Sequence, residues 1–255
     1  MAKITPISLS AVIITKNEEK NIRRCLTSLQ GIADEIIVVD SYSTDNTENI
    51  CKDFKITFIQ HQWEGYAATK NWANQQASSD FIFSIDADEE VPAHLRESIL
   101  KIKAVPSDNF AYEMKRLANY CGQWIHHCGW YPDTKPRIFD RRECKWEGDF
   151  VHERLVRSNQ KPWQLLKGDL NHYSYHSISQ HLQKIDNFSS LAAQQRVAKG
   201  KKFSMLKLLF APPFKFLNIY ILKLGFLDGL AGLCIAMFMS WHHFLREIKM
   251  RKGWR

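Results

Sequence analysis

The 255-residue chain predicts an α/β fold, a mainly parallel sheet flanked by helices with a helical extension at its C-terminus. Three observations carry that expectation. Leu9–Thr15 (LSAVIIT), Glu35–Asp40 (EIIVVD) and Phe81–Ile85 (FIFSI) are short apolar runs without alternation, the mark of strands covered on both faces. Helical patterns separate them, and strands alternating with helices over about 90 residues imply βαβ units. After residue 177 strand patterns cease and long apolar helical blocks follow.

In order, Leu9–Thr15 leads into a helix over Asn21–Leu29, with Ile22, Leu26 and Leu29 on one face. The strand Glu35–Asp40 runs into Ser41–Thr47 (SYSTDNT), rich in residues that cap helices and bond to backbone. A short helix through Phe54, a strand at Lys55–Ile59 and a helix at Tyr66–Ala77 precede Phe81–Ile85, and a further helix begins at Pro92. Asn109–Arg116 reads as another strand, and Ile178–Lys199 as an amphipathic helix. Right-handed crossovers bring several strand carboxyl ends to one edge, so Thr15, Asp40 and Asp86 share a rim.

Chemistry concentrates at that rim. Phe81–Ile85 stops at Asp86-Ala87-Asp88, followed by Glu89 and Glu90. In open α/β sheets ligands sit at strand carboxyl ends, and hard oxygen donors there suit Mg²⁺ or Mn²⁺ bound together with substrate phosphates. The bland reading of the same residues is a solvated acidic turn. A net charge of +8 favours anionic partners. None of the six cysteines forms a CxxC pair, which excludes a zinc ribbon or redox motif of that kind. Cys121, His126, His127 and Cys128 fit no common metal spacing and read as ordinary residues of a reducing compartment. The opening MAKITPISLS lacks a long apolar stretch and is not read as a secretory signal.

The runs AVIITKNEEKNIRRCLTSL, EIIVVDSYSTDNT and GYAATKNWANQQASSDFIFSIDADEEVP resemble, in order and spacing, the family 2 glycosyltransferases of GT-A fold. The resemblance implies that Thr15 and Asp40 hold the uracil of a nucleotide sugar and that Lys70 lies near the nucleotide. It implies Asp86 at the ribose or metal, and Asp88 as the metal ligand beside the diphosphate. Asp40 alone also reads as the cap of its own turn. Residues 1–176 form the transferase domain, with 1–105 as the nucleotide-sugar half and 106–176 as the acceptor half, and 177–255 form the extension.

The aromatic stretch Tyr120–Asp133 suits either sugar stacking or an aromatic core, and Arg137, Arg141 and Arg142 are candidates for phosphates. An inverting transfer needs a carboxylate to deprotonate the acceptor. Asp149 and Glu153 are the candidates. Val151–Glu153 (VHE) resembles the segment with that role in bacterial relatives, which favours Glu153, although the family's usual Glu-Asp reads His-Glu here.

In the C-terminal third, Pro212 and Pro213 are expected to break the first apolar helix. Leu224–Leu245 nearly reaches the length of a membrane span, but Asp228 and His242-His243 speak against one. With Arg246, Lys249, Arg251, Lys252 and Arg255 after it, this segment reads as a peripheral anchor on an anionic leaflet, the other reading being a buried helical subdomain that closes the acceptor side. His172–Ser177 and Gly225–Gly229 add a resemblance to the lipopolysaccharide inner-core glucosyltransferases. That implies UDP-glucose as donor, a heptose of lipid A–core as acceptor, no nucleic-acid partner, and a peripheral place on the cytoplasmic face of the bacterial inner membrane. A nucleotidyltransferase would want a glycine-rich phosphate loop where this chain has TKNEEKN, and an inactive membrane scaffold would not need Asp40, Asp86 and Asp88.

Overall fold

Strand β1 (Leu9–Thr15) is buried on both faces, as its unbroken apolar run requires. Helix α1 (Ile22–Leu29) lays Ile22, Cys25, Leu26 and Leu29 on the sheet, the i, i+3, i+4, i+7 stripe of an amphipathic helix. The chain continues through β2 (Glu35–Asp40), α2 (Thr47–Cys51), β3 (Thr57–Gln60), α3 (Tyr66–Gln75), β4 (Phe81–Ser84), β5 (Glu89–Glu90) and α4 (Ala93–Ala104). It then adds β6 (Ala111–Tyr120), β7 (Gln123–Ile125), β8 (Asp133–Asp140), β9 (Cys144–Glu147), β10 (Arg154–Arg157) and β11 (Gln164–Tyr175). Three long helices close it: α5 (Ile178–Ala198), α6 (Met205–Leu217) and α7 (Gly229–Lys249). The computed structural model describes residues 6–104, 111–148, 153–158 and 161–251. Asp149 and His152 lie outside these, as do Asn109, Lys252 and Arg255.

The described residues form two units, 6–116 with 133–172, and 117–132 with 173–251. In the first, the sheet order is β3-β2-β1-β4-β8-β6-β11-β5. β3, β2, β1 and β4 are mutually parallel, and the strands beyond β4 pair antiparallel at β4–β8, β8–β6 and β11–β5. Thr15 pairs in register with Asp40, and β4 ends at Ser84 opposite Val12, so the parallel strands deliver their carboxyl ends to one rim. The loops there are knitted together: Asn17 accepts from the Thr44 amide at 2.8 Å, and Thr47 accepts from the Glu18 amide at 2.8 Å. A separate antiparallel hairpin, β9–β10, sets Leu155 opposite Trp146.

The second unit has its own core of Tyr120, Ile125, Cys128, Ile219, Ala231, Ile235 and Ala236. Helix α6 runs straight through Pro212 and Pro213. Two adjacent i→i−4 bonds are lost there, yet packing on α7 holds the helix, and Ser240 donates to the Pro212 carbonyl at 2.9 Å. Leu224–Leu245 is not one helix either. Leu224 sits at φ +54°, Gly225–Asp228 form a 3₁₀ turn, and α7 starts at Gly229. Buried Asp228 accepts from the His126 and His127 amides at 3.3 and 2.9 Å and pairs with the His127 ring at 2.9 Å, so this carboxylate anchors a loop. Two residues of the expected basic flank are held internally. Lys249 bonds Asp186, Ser189 and Ser190, and Arg246 lies 3.2 Å from buried Glu247, which also pairs with Arg196 at 2.9 Å.

Candidate active site

The rim of the first unit encloses a cavity of about 540 Å³, within the range of small-molecule sites. Its wall includes Thr15 and Lys16 from the end of β1, Trp63, Tyr66 and Lys70 at α3, Asp86 and Asp88 after β4, Glu153 before β10, and His172 of β11.

The Asp86–Glu89 turn is built from inside. Glu89, 1% exposed, accepts from the Asp86 amide at 3.0 Å, and its other oxygen lies 2.5 Å from Arg137 and 3.4 Å from Arg116. Asp86 accepts from Arg137 at 2.6 Å and from Lys70 at 3.2 Å. Burial pushes the Asp86 carboxyl up, but Arg137, then Lys70 and Arg116, outweigh it and hold it far below the usual carboxylate range. Asp86 is therefore a permanent anion clamped by cations. Arg137, 3% exposed, supports this turn, which corrects its reading as a phosphate contact. Arg141 and Arg142 lie outside the cavity lining. The first donates to the Asn74 and Ala77 carbonyls at the end of α3, at 2.8 Å each, and the second pairs with Asp140 and Asp80.

Asp88 points elsewhere. Its Oδ2 lies 3.3 Å from Nε2 of His172, because β5 pairs with β11 with His172 opposite Glu89. This carboxylate–imidazole pair borders the cavity and offers two donors to a divalent cation, leaving its other positions to phosphate oxygens and water. The donor set fits Mn²⁺ or Mg²⁺. Among the described residues no group of three or more His, Cys, Asp or Glu side chains is placed to hold a metal ion, so the protein's share is the two donors Asp88 and His172.

Lys70 joins the two halves of the site. It is 4% exposed, with its ammonium 3.2 Å from Asp86, 3.6 Å from Glu153 and 4.5 Å from the ring centre of Trp146. Asn71 clamps α3 to β9 by donating to the Trp146 carbonyl at 2.8 Å and accepting from its amide at 2.9 Å. Glu153 enters the cavity from the residue before β10, so the β9–β10 hairpin places both Trp146 and Glu153 against Lys70. Burial raises the Tyr66 hydroxyl, and the nearby Glu153, Asp86 and Asp88 carboxylates raise it further. Trp63 meets Tyr66 edge-on at 4.7 Å, a partly exposed aromatic pair at the cavity wall.

Thr15 lines the cavity with a buried hydroxyl that has no partner among the described residues, which leaves it for a ligand. Asp40 is fully buried, outside the cavity lining, and bonded to the Ser43 amide at 2.8 Å and to the Ser43 hydroxyl. Here it caps its own turn. The stretch Tyr120–Asp133 falls mostly in the second unit, where Tyr120 packs with Trp130, Tyr175 and His181 as core.

Residues 10–157 match the family model "Glycosyl transferase family 2". The chain belongs to glycosyltransferase family 2. An uncharacterized glycosyltransferase of Rickettsia typhi is 32% identical to this glycosyltransferase, over 96% of this chain and 87% of its own. The lipopolysaccharide core biosynthesis glycosyltransferase LpsC of Rhizobium meliloti is 31% identical over 97% of this chain and 93% of its own. Among solved structures, glucosyl-3-phosphoglycerate synthase of Mycobacterium tuberculosis, crystallised with Mn²⁺ and UDP-glucose, is 21% identical, covers 44% of each chain and has a TM-score of 0.37.

Of the strand-end residues that the sequence of this family 2 glycosyltransferase offers, Thr15, Asp86 and Asp88 line the cavity and Asp40 does not. Glu89 is visible among the four carboxylates and His172 within the resembling His172–Ser177 segment, but neither with its place at the site, and Arg116 and Trp146 are not singled out. Each reaches the site through a pairing or an ion network distant in sequence.

Proposed function

We propose that this glycosyltransferase moves a hexose, glucose from UDP-glucose, with inversion onto a heptose of the lipopolysaccharide inner core. On this reading it acts at the cytoplasmic face of the bacterial inner membrane as a peripheral protein. The observation that carries the chemistry is the convergence of Asp88–His172 and Lys70–Glu153 on one cavity beside a clamped Asp86. The lipopolysaccharide acceptor is supported by the similarity to LpsC along nearly the whole chain. The membrane reading is supported by two C-terminal segments, Met205–Leu222 and Gly225–Lys249, that are long and apolar enough to cross a membrane by length and composition.

Each residue has a distinct task in this reading. Asp88 and His172 would hold a Mg²⁺ or Mn²⁺ ion, which would supply positive charge for the leaving diphosphate. Lys70 adds a buried positive charge beside the same wall. Thr15 offers its unpartnered hydroxyl to the nucleotide, and the Trp63–Tyr66 pair offers aromatic faces. Asp40 contributes to base recognition through the turn it caps. Glu153 accepts the proton of the acceptor hydroxyl as the new C–O bond forms at the anomeric carbon and the sugar–phosphate bond breaks. Asp86 cannot take that proton, because Arg137 and Lys70 hold it ionised.

The test is a transfer assay with a panel of UDP-sugars and Mn²⁺ on heptose-containing core acceptors. Glu153→Gln is expected to lower kcat by about 10²–10⁴-fold, the usual cost of removing a general base, with little change in donor affinity. Normal turnover by Glu153→Gln with loss in Asp149→Asn would move the base to Asp149.

A further inference from the structure

The outer face of α6 is apolar and, among the described residues, exposed along its length. No residue of the helix is buried, and Leu206, Phe210, Phe214 and Leu217 are 69%, 65%, 68% and 54% exposed. The exposed run continues past the helix through Leu222 at 70% and Leu230 at 75%. Such a surface on a water-soluble domain marks an interaction site. Exposed lysines frame it: Lys201, Lys202 and Lys207 at one end and Lys223 at the other.

Helix α7 is differently placed. Its C-terminal half docks on α5 through Arg196–Glu247 at 2.9 Å and Lys249–Asp186 at 2.6 Å, and its N-terminal end abuts the buried, loop-bonded Asp228. α5 is a polar helix (ISQHLQKIDNFSSLAAQQRVA), and hydrocarbon would strand its side chains. α7 therefore cannot leave α5 to cross a bilayer without breaking these pairs.

We infer that α6 and the exposed elbow side chains Leu222, Leu224, Phe226, Leu227 and Leu230 lie in the interface of an anionic leaflet, with the lysines on lipid headgroups, and that α7 beyond its first turn stays outside the bilayer as the internal support. An apolar face rimmed by lysines is the pattern of an interfacial helix. This rests on the membrane-surface part of the proposed function and moves the anchor from Leu224–Leu245 to α6.

The full chain is sedimented with phosphatidylcholine vesicles, with and without phosphatidylglycerol. The wild type is expected to bind the anionic vesicles and to weaken as salt rises. Phe210→Glu/Phe214→Glu is expected to lower the partition coefficient at least ~tenfold. Phe188→Glu, on the exposed side of α5, is expected to leave it unchanged. Lys202→Glu/Lys207→Glu leaves the apolar packing alone and is expected to remove the preference for anionic lipid. Equal binding by Phe210→Glu/Phe214→Glu, or equal loss with Phe188→Glu, overturns the assignment. A wild-type dimer that Phe210→Glu/Phe214→Glu dissociates would instead give this face to a second copy of the chain. Sugar transfer to a deacylated, water-soluble acceptor is measured on the same proteins. Transfer without vesicle binding sinks the surface alone, whereas vesicle binding without transfer to any acceptor sinks the enzymatic reading alone.

Discussion

At the scale of residues, the four acidic side chains after β4 divide sharply. Glu89 is buried under two arginines and holds the turn, Asp86 is clamped by Arg137 and Lys70, and Asp88 meets His172 at the cavity. Removing one partner of a buried, hydrogen-bonded charge group typically costs ~3–5 kcal/mol. Glu89→Ala is expected to lose stability of about that size in urea denaturation. Asp88→Ala, whose contact to His172 is only part-buried, is expected to lose much less stability than Glu89→Ala. His172→Ala is expected to weaken Mn²⁺ binding by at least ~tenfold, read by paramagnetic water relaxation, with the fold intact. The sequence offered Asp86 and Asp88 as a pair, and alternation along the chain cannot tell a clamped carboxylate from an available one. The cations that make the difference, Arg116 and Arg137, come from β6 and β8, far along the chain.

At the scale of elements, the parallel strands could be read directly, because burial on both faces leaves continuous β-branched runs. Strand β3 was displaced by two residues at its start, a short half-exposed strand with little pattern to fix its ends. The β9–β10 hairpin was not legible as such, though it places Glu153 and sets Trp146 under Lys70. The aromatic stretch around Tyr120 reads equally as sugar platform or as core, and its partners Tyr175 and His181, over fifty residues on, decide for core. In the helical unit, proline arithmetic failed at Pro212-Pro213, where packing on α7 outweighs two missing backbone bonds. Asp228 carries a matching prediction. It is 4% exposed and satisfies two backbone amides and a ring, so Asp228→Ala is expected to destabilise the protein by ~3 kcal/mol and lower its thermal midpoint. Circular dichroism melts would show it, and an unchanged midpoint would mean the loop stands without its anchor.

At the scale of the whole molecule, the chain has one unit that carries the candidate active-site rim and a helical unit with its own core. Truncation after Ala198 would not isolate a membrane anchor, because it removes Ile219, Ala231 and Ile235 from the core around Tyr120 and Ile125. Point changes on α6 are the cleaner probe. The central claim is that the rim cavity takes a nucleoside diphosphate through a divalent cation held by Asp88 and His172. Titration calorimetry of UDP, with Mn²⁺ and with chelator, on the wild type and Asp88→Asn tests it most directly. The expected result is wild-type binding that strengthens at least ~tenfold with Mn²⁺, and loss of that gain in Asp88→Asn. UDP binding equally well to both proteins, or equally well in chelator, would contradict it.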